Sequence, residues 1–299
     1  MKKTIKNLLL SLAAVLAAVS ASAQITTSSM NGKVADSNGS AIPGVAVVAV
    51  HTPSGTQYFA VTNSEGAFYI NGMRAGGPYT VEASCLGYKN VTYTDVTLQL
   101  AEATALNFTM PDDSEVLAEA VVISNALSKF STEKTGAATN INNAQIVNLP
   151  TVSREITDVT RLSPYGGNGM TFAGADGRTA NFTVDGANFN NNFGLSSNLP
   201  GGGNPISIDA IEELQVVISP FDVRQTNFIG GGVNAITKSG TNTFKGSAYV
   251  YHRNENMRGD TVADTQITTA RETDRNTTYG FTLGGPIVKN KLFFFVNAE

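Results

Sequence analysis

Few side chains in this sequence of 299 residues are spaced for covalent chemistry. His51 is followed by Thr-Pro-Ser and His252 by Arg-Asn-Glu, and these are the only two histidines. A zinc site needs several His, Cys or carboxylate ligands at short spacing, and no pair of His ligands with a nearby Glu can be built from either neighbourhood. A lone strand histidine such as His51 is then a surface or packing residue before it is a ligand. Cys85 is the single cysteine, which excludes an intrachain disulfide and any cluster built on several thiolates. It reads as a small buried hydrophobe. Asp36-Ser37-Asn38 opens like a calcium loop, but Ala41 stands where the loop requires Gly and Val47 where it requires the closing Glu, so the segment is a turn. Asp176 and Asp185 each precede a glycine; paired carboxylates for acid–base work are conceivable, yet Asp-Gly is turn chemistry first. The sequence contains no G-x-S-x-G elbow, no G-x-x-x-x-G-K-[ST] phosphate loop and no H-E-x-x-H pair. The chemistry to be expected is binding rather than catalysis, with no cofactor and no metal.

The elements around these residues are short and mostly strands. Only 15% of residues are charged, 41% are hydrophobic, and 29 are glycine. Such a composition favours β-structure with frequent turns over a coiled coil or a charged disordered chain, and the length allows about two domains. A formal charge of −4 gives no basic field for nucleic acid. At the start, Lys2, Lys3 and Lys6 precede an apolar run from Leu8 to Val19 and the small triplet Ala21-Ser22-Ala23. That pattern is a secretory signal peptide over residues 1–23, since a run of 12 residues is short of the roughly 20 that span a bilayer. Gln24 stands where a lipoprotein would need cysteine. Without its three leader lysines the exported chain carries 17 basic and 24 acidic side chains, a charge of −7.

From about Met30 to Met110 strand-like runs recur between turn signals: MNGKVAD, GVAVVAVHT, TQYFAVT, GAFYING, PYTVEASCLGY, VTYTDVTLQL and ALNFTM. This is the rhythm of a β-sandwich. Val45, Val47 and Ala49 alternate with Ala46, Val48 and Val50, so that strand is apolar on both faces and central; Tyr79, Val81 and Ala83 alternate with Thr80 and Glu82, as a half-exposed strand does. An acidic turn, Pro111 to Glu115, then opens a linker whose one apolar run is Ala120-Val121-Val122-Ile123. The run reads either as an extended peptide offered to a partner or as the first strand of the next domain. Beyond it, Leu149, Val152, Ile156, Val159 and Leu162 fall at helical spacing up to Ser163-Pro164, RTANFTVDG puts Phe182 and Val184 on one face of a strand, Asp209 caps a short helix leading into a strand from Leu214 to Ile218, and VNAITKSG is a further strand. Residues 186–208 hold no charged side chain and six asparagines. Their Asn amides and Phe189 and Phe193 could contact a polar ligand, yet Gly201-Gly202-Gly203 weighs the reading toward flexibility.

Two stretches carry resemblances. GKVADSNGSAIPGVAVVAV with TNSEGAFYINGMRAGGPYTVEASCLGYK resembles the carboxypeptidase-regulatory-like domain, a transthyretin-type sandwich without catalytic residues of its own. NFTVDGANFN, IDAIEELQVVISPFDVRQTNFIGGGVNAITKSGTNTFKGSAYVYHRN and YGFTLGGPIVKNKLFFFVNAE resemble the plug and first barrel strands of a TonB-dependent outer-membrane receptor of the Oar-like branch. The resemblance implies a mainly β chain: signal peptide 1–23, sandwich 24–110, linker 111–136, α+β plug 137–239, and an incomplete transmembrane β-barrel from 240 to 299. It also implies a TonB box, with Ala120, Val121, Val122, Ile123 and Ser124 as candidates, and a ligand-facing plug loop at Asn188, Phe189, Asn190, Asn191, Asn192 and Phe193. The implied partners are TonB with its inner-membrane energising complex, outer-membrane lipid and an extracellular ligand. The implied location is the outer membrane of a Gram-negative bacterium, with the N-terminal domain periplasmic.

The final segments agree on physical grounds. FKGSAYVYH, TTYGFTLGG and KLFFFVNAE hold eight of the chain's 24 aromatics, which suits the aromatic girdles of a barrel, with the polar stretch from Arg253 to Asn276 as an extracellular loop and GGPIVKNK as a periplasmic turn. A plugged transporter uses about 22 strands of roughly 10 residues, about 220 in all. Only 57 residues follow Asn242, so the sequence is expected to be a piece of a longer receptor. The competing reading is an exported adhesion or carbohydrate-binding β-module with no transport role.

Overall fold

The computed structural model describes residues 26–112, 121–124, 137–151, 153–190, 199, 204–219, 225, 228–257, 259, 261–262, 265–266 and 272–299. The predicted signal peptide lies outside them. Among the described residues no helix is long and apolar enough to cross a membrane, which says nothing of membrane-crossing strands.

Residues 27–110, with residues 121–124, fold as two facing sheets. One has β1 (Thr27–Asp36) at its centre, with β4 (Ala67–Arg74) antiparallel on one side and β7 (Ala103–Ala105) and β8 (Phe108–Met110) parallel on the other. The other runs β3 (Thr56–Val61), β2 (Ala46–His51), β5 (Gly76–Ser84), β6 (Val91–Leu98) and β9 (Val121–Ser124). All seven predicted runs are strands, and β2 is central as its two apolar faces required. Val47 and Ala49 are fully buried while Ala46, Val48 and Val50 are half-buried; Tyr79, Val81 and Ala83 are buried while Glu82 is exposed. The ALNFTM run differs from expectation in being two pieces. Leu106 sits between them and donates its N–H to Asn31 O (2.8 Å), and a Cβ at Gly32 would run into the Leu106 carbonyl, so glycine is required for this close approach. The core joins Met30, Val34, Phe68, Ile70 and Phe108 from one sheet to Val47, Tyr79, Val81, Val91, Val96 and Leu98 from the other. Each such large side chain contributes about 1.5–3 kcal/mol by leaving water.

Residues 137–237 form an α+β unit on a five-stranded sheet in the order β10 (Ala138–Asn142), β13 (Ile211–Val217), β14 (Gly232–Thr237), β11 (Asn181–Val184) and β12 (Ala187–Asn188). Phe182 and Val184 point into its core as predicted. The single predicted helix is two helices, α1 (Asn143–Asn148) and α2 (Ile156–Thr160). α1 opens on a reciprocal cap: Asn142 Oδ1 accepts from Gln145 N, and Gln145 Oε1 accepts from Asn142 N, both at 3.0 Å. It closes at Leu149, which precedes Pro150 and is extended (ψ 117°), because the proline ring excludes helical geometry from the residue before it. Leu162 is consequently exposed, whereas Ile156 and Val159 still reach the core. The helix predicted from Asp209 is a single 3-10 turn, Ile208–Ala210, and its cap is Ser207, whose Oγ accepts from Asp209 N (3.3 Å).

The last strands make a meander, β15 (Lys245–Arg253), β18 (Asn276–Val288) and β19 (Leu292–Ala298). The predicted long loop between the first two carries a small hairpin, β16 (Thr261–Val262) with β17 (Thr265–Gln266). Register sorts the meander into two faces. Val250 opposite Tyr279, Ala248 opposite Phe281 and Leu283 opposite Val296 form an apolar face, exposed throughout at its large side chains. Ser247 opposite Thr282, together with Tyr249 and Tyr251, lies on the other face, which meets the α+β unit.

Candidate functional site

The candidate TonB box proves to be a strand of the preceding unit. β9 runs parallel to β6, with Val91 opposite Val121, Thr92 opposite Val122, Tyr93 opposite Ile123 and Thr94 opposite Ser124. It is therefore neither a detached peptide nor the first strand of the α+β sheet, whose edge is β10. A β-prone run finds the nearest unpaired edge, and β6 offers one. Ala120 lies outside the described residues. β9 ends the sheet order, and among the described residues no strand pairs with its outer side.

Of the predicted ligand loop, Asn188, Phe189 and Asn190 are described and Asn191, Asn192 and Phe193 are not. Asn188 and Phe189 are exposed. Asn190 is occupied structurally: its Nδ2 donates to Asn181 Oδ1 (2.6 Å) and its Oδ1 accepts from Phe182 N (2.5 Å), which ties the loop to β11. The box and the loop thus belong to different sheets.

The best-built polar site lies between the first unit and the α+β sheet, and sequence reading passed over it. Leu100, two residues beyond β6, is fully buried. Its N–H donates to Glu213 Oε1 (3.0 Å), and its carbonyl accepts from Gln215 Nε2 (2.8 Å) and Asn140 Nδ2 (3.3 Å). Its side chain packs with Ala75 and Ile236. Asn140, Gln215 and Asn234 are register partners across β10, β13 and β14, and Thr183 on β11 faces Asn234. Thr183 Oγ1 donates to Asn234 Oδ1 (2.8 Å) and Asn234 Nδ2 to Gln215 Oε1 (3.4 Å). A row of polar side chains therefore crosses four strands and ends on one main-chain residue of the neighbouring unit. Burial, with Glu102 and Glu212 adding repulsion, pushes the Glu213 carboxyl up to about 7, against the accepted Leu100 N–H, which pulls it down. The signal was present in the alternation Glu213, Gln215 within β13, but alternate polar residues in a strand read as a solvent face.

A second polar seam joins the α+β unit to the meander. The Arg154 guanidinium lies 4.0 Å from the Tyr251 ring centroid and 5.2 Å from that of Tyr249, and it pairs with Asp209. Ser207 Oγ lies 3.1 Å from the Tyr249 hydroxyl, which donates to Glu299 Oε2 (2.7 Å). The first unit also reaches the meander's turns: Asn242 N donates to Pro53 O (2.9 Å), and Asn242 and Asn290 bond each other.

The residues weighed for covalent chemistry have structural roles. His51 is buried, its Nδ1 2.6 Å from Ser54 Oγ and its ring 4.9 Å from that of Tyr79; burial and the Arg74 charge hold its pKa down at about 4. Asp36 Oδ1 accepts from Asn38 N and Ser40 N, as an Asx turn does. Asp176 caps a 3-10 turn through Arg178 N, and Asp185 accepts from Thr237 N and Oγ1. Among the described residues no group of three or more His, Cys, Asp and Glu could hold a metal. Cys85 is half-exposed and packs against the sandwich core.

Two family models match parts of the chain. Residues 29–111 match the carboxypeptidase regulatory-like domain, and residues 236–299 match an outer membrane beta barrel domain. A curated relative, the TonB-dependent transporter Oar of Myxococcus xanthus, is 26% identical over 253 residues, which is 79% of this chain and 23% of that protein. The chain thus spans about a quarter of the relative's length. Among solved structures, the siderophore receptor PirA from Acinetobacter baumannii is 21% identical with a TM-score of 0.40, covering 54% of this chain and 24% of that one. PirA from Pseudomonas aeruginosa is 19% identical with a TM-score of 0.36, covering 52% and 26%. The resemblance to TonB-dependent receptors of the Oar-like branch, read from the sequence, is borne out, as are the regulatory-like and barrel assignments.

Proposed function

We propose that this chain serves energised import across the outer membrane of a Gram-negative bacterium. The observation that carries the reading is the extent of the match to a TonB-dependent transporter, which runs over 253 residues rather than over a single module. The meander supports it, because Val250, Tyr279, Phe281, Leu283 and Val296 form an exposed apolar face while the opposite face, with Ser247, Tyr249, Tyr251 and Thr282, contacts the α+β unit, as lipid and lumen would demand of barrel strands. In this reading the sandwich is periplasmic, the α+β unit of residues 137–239 is the plug, and the strands from 240 begin the barrel wall. Ligand binds extracellular loops and the exposed Asn188 and Phe189 region. TonB takes Ala120–Ser124 by β-augmentation, in which main-chain bonds supply affinity and alternate side chains supply selectivity. Pulling there displaces the plug, and no covalent step occurs.

Two measurements on the full-length gene product test this. It should resist an alkaline carbonate wash of outer membranes, and it should bind the purified periplasmic domain of TonB, with binding abolished by deletion of residues 119–124. Release by the wash would favour the adhesion module instead. Undiminished TonB binding after the deletion would remove the assigned box.

A further inference from the structure

We infer that the sandwich is a clamp that grips the α+β unit at one place and the end of the meander at another, and so ties plug to barrel wall across the seam between them. The inference rests on the receptor reading above, which supplies plug and wall, and goes beyond it by giving the first unit a task of its own.

Both grips come from one sheet of the sandwich. The first is the segment after β6, where Leu100 is held by Glu213, Gln215 and Asn140. The second is the turn from β2 to β3, where Pro53 O accepts from Asn242 N (2.9 Å). Asn242 lies between β14 and β15, on the connection from the α+β unit to the meander. Its side chain is locked to the turn between β18 and β19, with Nδ2 donating to Asn290 Oδ1 (2.7 Å) and Oδ1 accepting from Asn290 N (2.8 Å). Register sets Lys245 opposite Gly284, so this turn and the start of β15 share one end of the meander. Gly55 seats the contact, since a Cβ there would run into Asn290 Oδ1 and its φ of 70° is one that side chains rarely adopt.

The body between the grips is stiff. Gly55 N–H donates to His51 O (2.7 Å) and Thr52 N–H to Pro78 O (3.0 Å), which fixes the turn to β2 and β5. β2 pairs with β5 and β5 with β6, so the turn and Leu100 are ends of one ladder above a common core. Two grips on one stiff body support each other: while one is closed, the other re-forms at the high effective concentration of a tethered pair. Such coupling is reciprocal, so loosening either grip loosens both. The grips are unequal, with three hydrogen bonds to the fully buried Leu100 against one main-chain bond at the half-buried Pro53. The wall side therefore opens first, and the sandwich stays with the plug.

Amide exchange on the full-length chain in detergent reads both grips, because the Leu100 and Asn242 N–H groups are the bonded donors. A Cβ at residue 55 lies 3.1 Å from Asn290 Cγ, so the variant Gly55→Cys/Asn290→Cys can close to the roughly 3.5–4.5 Å between the β-carbons of a disulfide. Made in a Cys85→Ser background, it is compared with itself, reduced and oxidised. Oxidation is expected to slow exchange at Leu100 by about tenfold or more, with recovery on reduction and no change at Val81 in the core. Independently, Gln215→Ala removes a bond at Leu100 and is expected to speed exchange at Asn242 by about threefold or more. Leu100 exchange indifferent to the staple, slowing shared equally by Val81, failure of the disulfide to form, or Asn242 exchange indifferent to Gln215→Ala would each overturn the clamp and leave the receptor reading standing. Release of the unaltered chain by the carbonate wash would remove the receptor reading, and the clamp with it.

Discussion

The sandwich core and the Leu100 seam are both closed to water, but they are closed by opposite means. The core is aliphatic and aromatic across both sheets, with its buried polar groups satisfied inside the same unit, His51 by Ser54 and Thr62 by the Val45 N–H and the Ile42 carbonyl. At the seam one buried main-chain residue is met by a carboxyl and two amides from two strands, with a small apolar filling of Ala75, Leu100, Ala101 and Ile236. Apolar burial is non-directional and tolerates small shifts, whereas a hydrogen-bonded row is satisfied at one placement alone. The first unit is thus built to persist, and the seam is built to define a position.

The largest expected effect sets the contrast at its sharpest. Phe108→Ala, which removes a fully buried ring stacked near Phe68 and Tyr93, should cost about 3–5 kcal/mol in chemical denaturation. A loss below about 1 kcal/mol would show that the core is not the rigid partner in the comparison. Glu213→Ala should cost about 1–3 kcal/mol by leaving the Leu100 N–H unpaired, and it should speed amide exchange at Leu100 while the sandwich strands stay protected. Equal acceleration in β2 or β5 would mean that seam and core are one cooperative unit.

Acidity separates the two regions by sign. Glu213 has its folded pKa raised from 4.5 to about 7, so the folded state holds more protons than the unfolded one across that window, and the seam weakens as pH rises through it. His51 has its folded pKa lowered from 6.5 to about 4, so the sandwich gains stability as pH rises across 4 to 6.5 and loses it on acidification. Denaturation from pH 4.5 to 7.5 should flatten in opposite directions for Glu213→Gln and His51→Gln; slopes of the same sign would break the comparison. The smallest effect belongs to the second seam. Tyr251→Leu removes the closer ring beneath Arg154 and should cost about 0.5–1 kcal/mol, read as faster exchange around Arg154 with no change at Leu100.

Much of the fold was legible, for reasons that residues make plain. The sandwich strands follow a two-residue period punctuated by Asn-Gly and Pro-Gly turns, and tertiary context had little to override. The helix from Leu149 to Leu162 was misread because apolar spacing was weighed without Pro150, which fixes Leu149 as extended. The box was recognised as β-prone, but the strand that receives it is fixed only by which edge stands open in space. The Leu100 seam was invisible because its partners lie 40 to 115 residues away along the chain, and because Glu213 and Gln215 look like the wet side of a strand until another unit covers them. The Asn-rich loop was read as a possible binding surface, and Asn190 turned out to be a clip on β11.

The row from Thr183 through Asn234 and Gln215 to Asn140 has one further consequence, for the surface it leaves when uncovered. Had the α+β sheet been greased beneath the sandwich, separation would strand an adhesive patch, and the parted units would stick to whatever came next. Amides and a carboxyl, by contrast, are readily rehydrated, and water can take over the bonds that the Leu100 main chain gives up. Parting there would leave two surfaces that water can satisfy, the character of a latch rather than a weld.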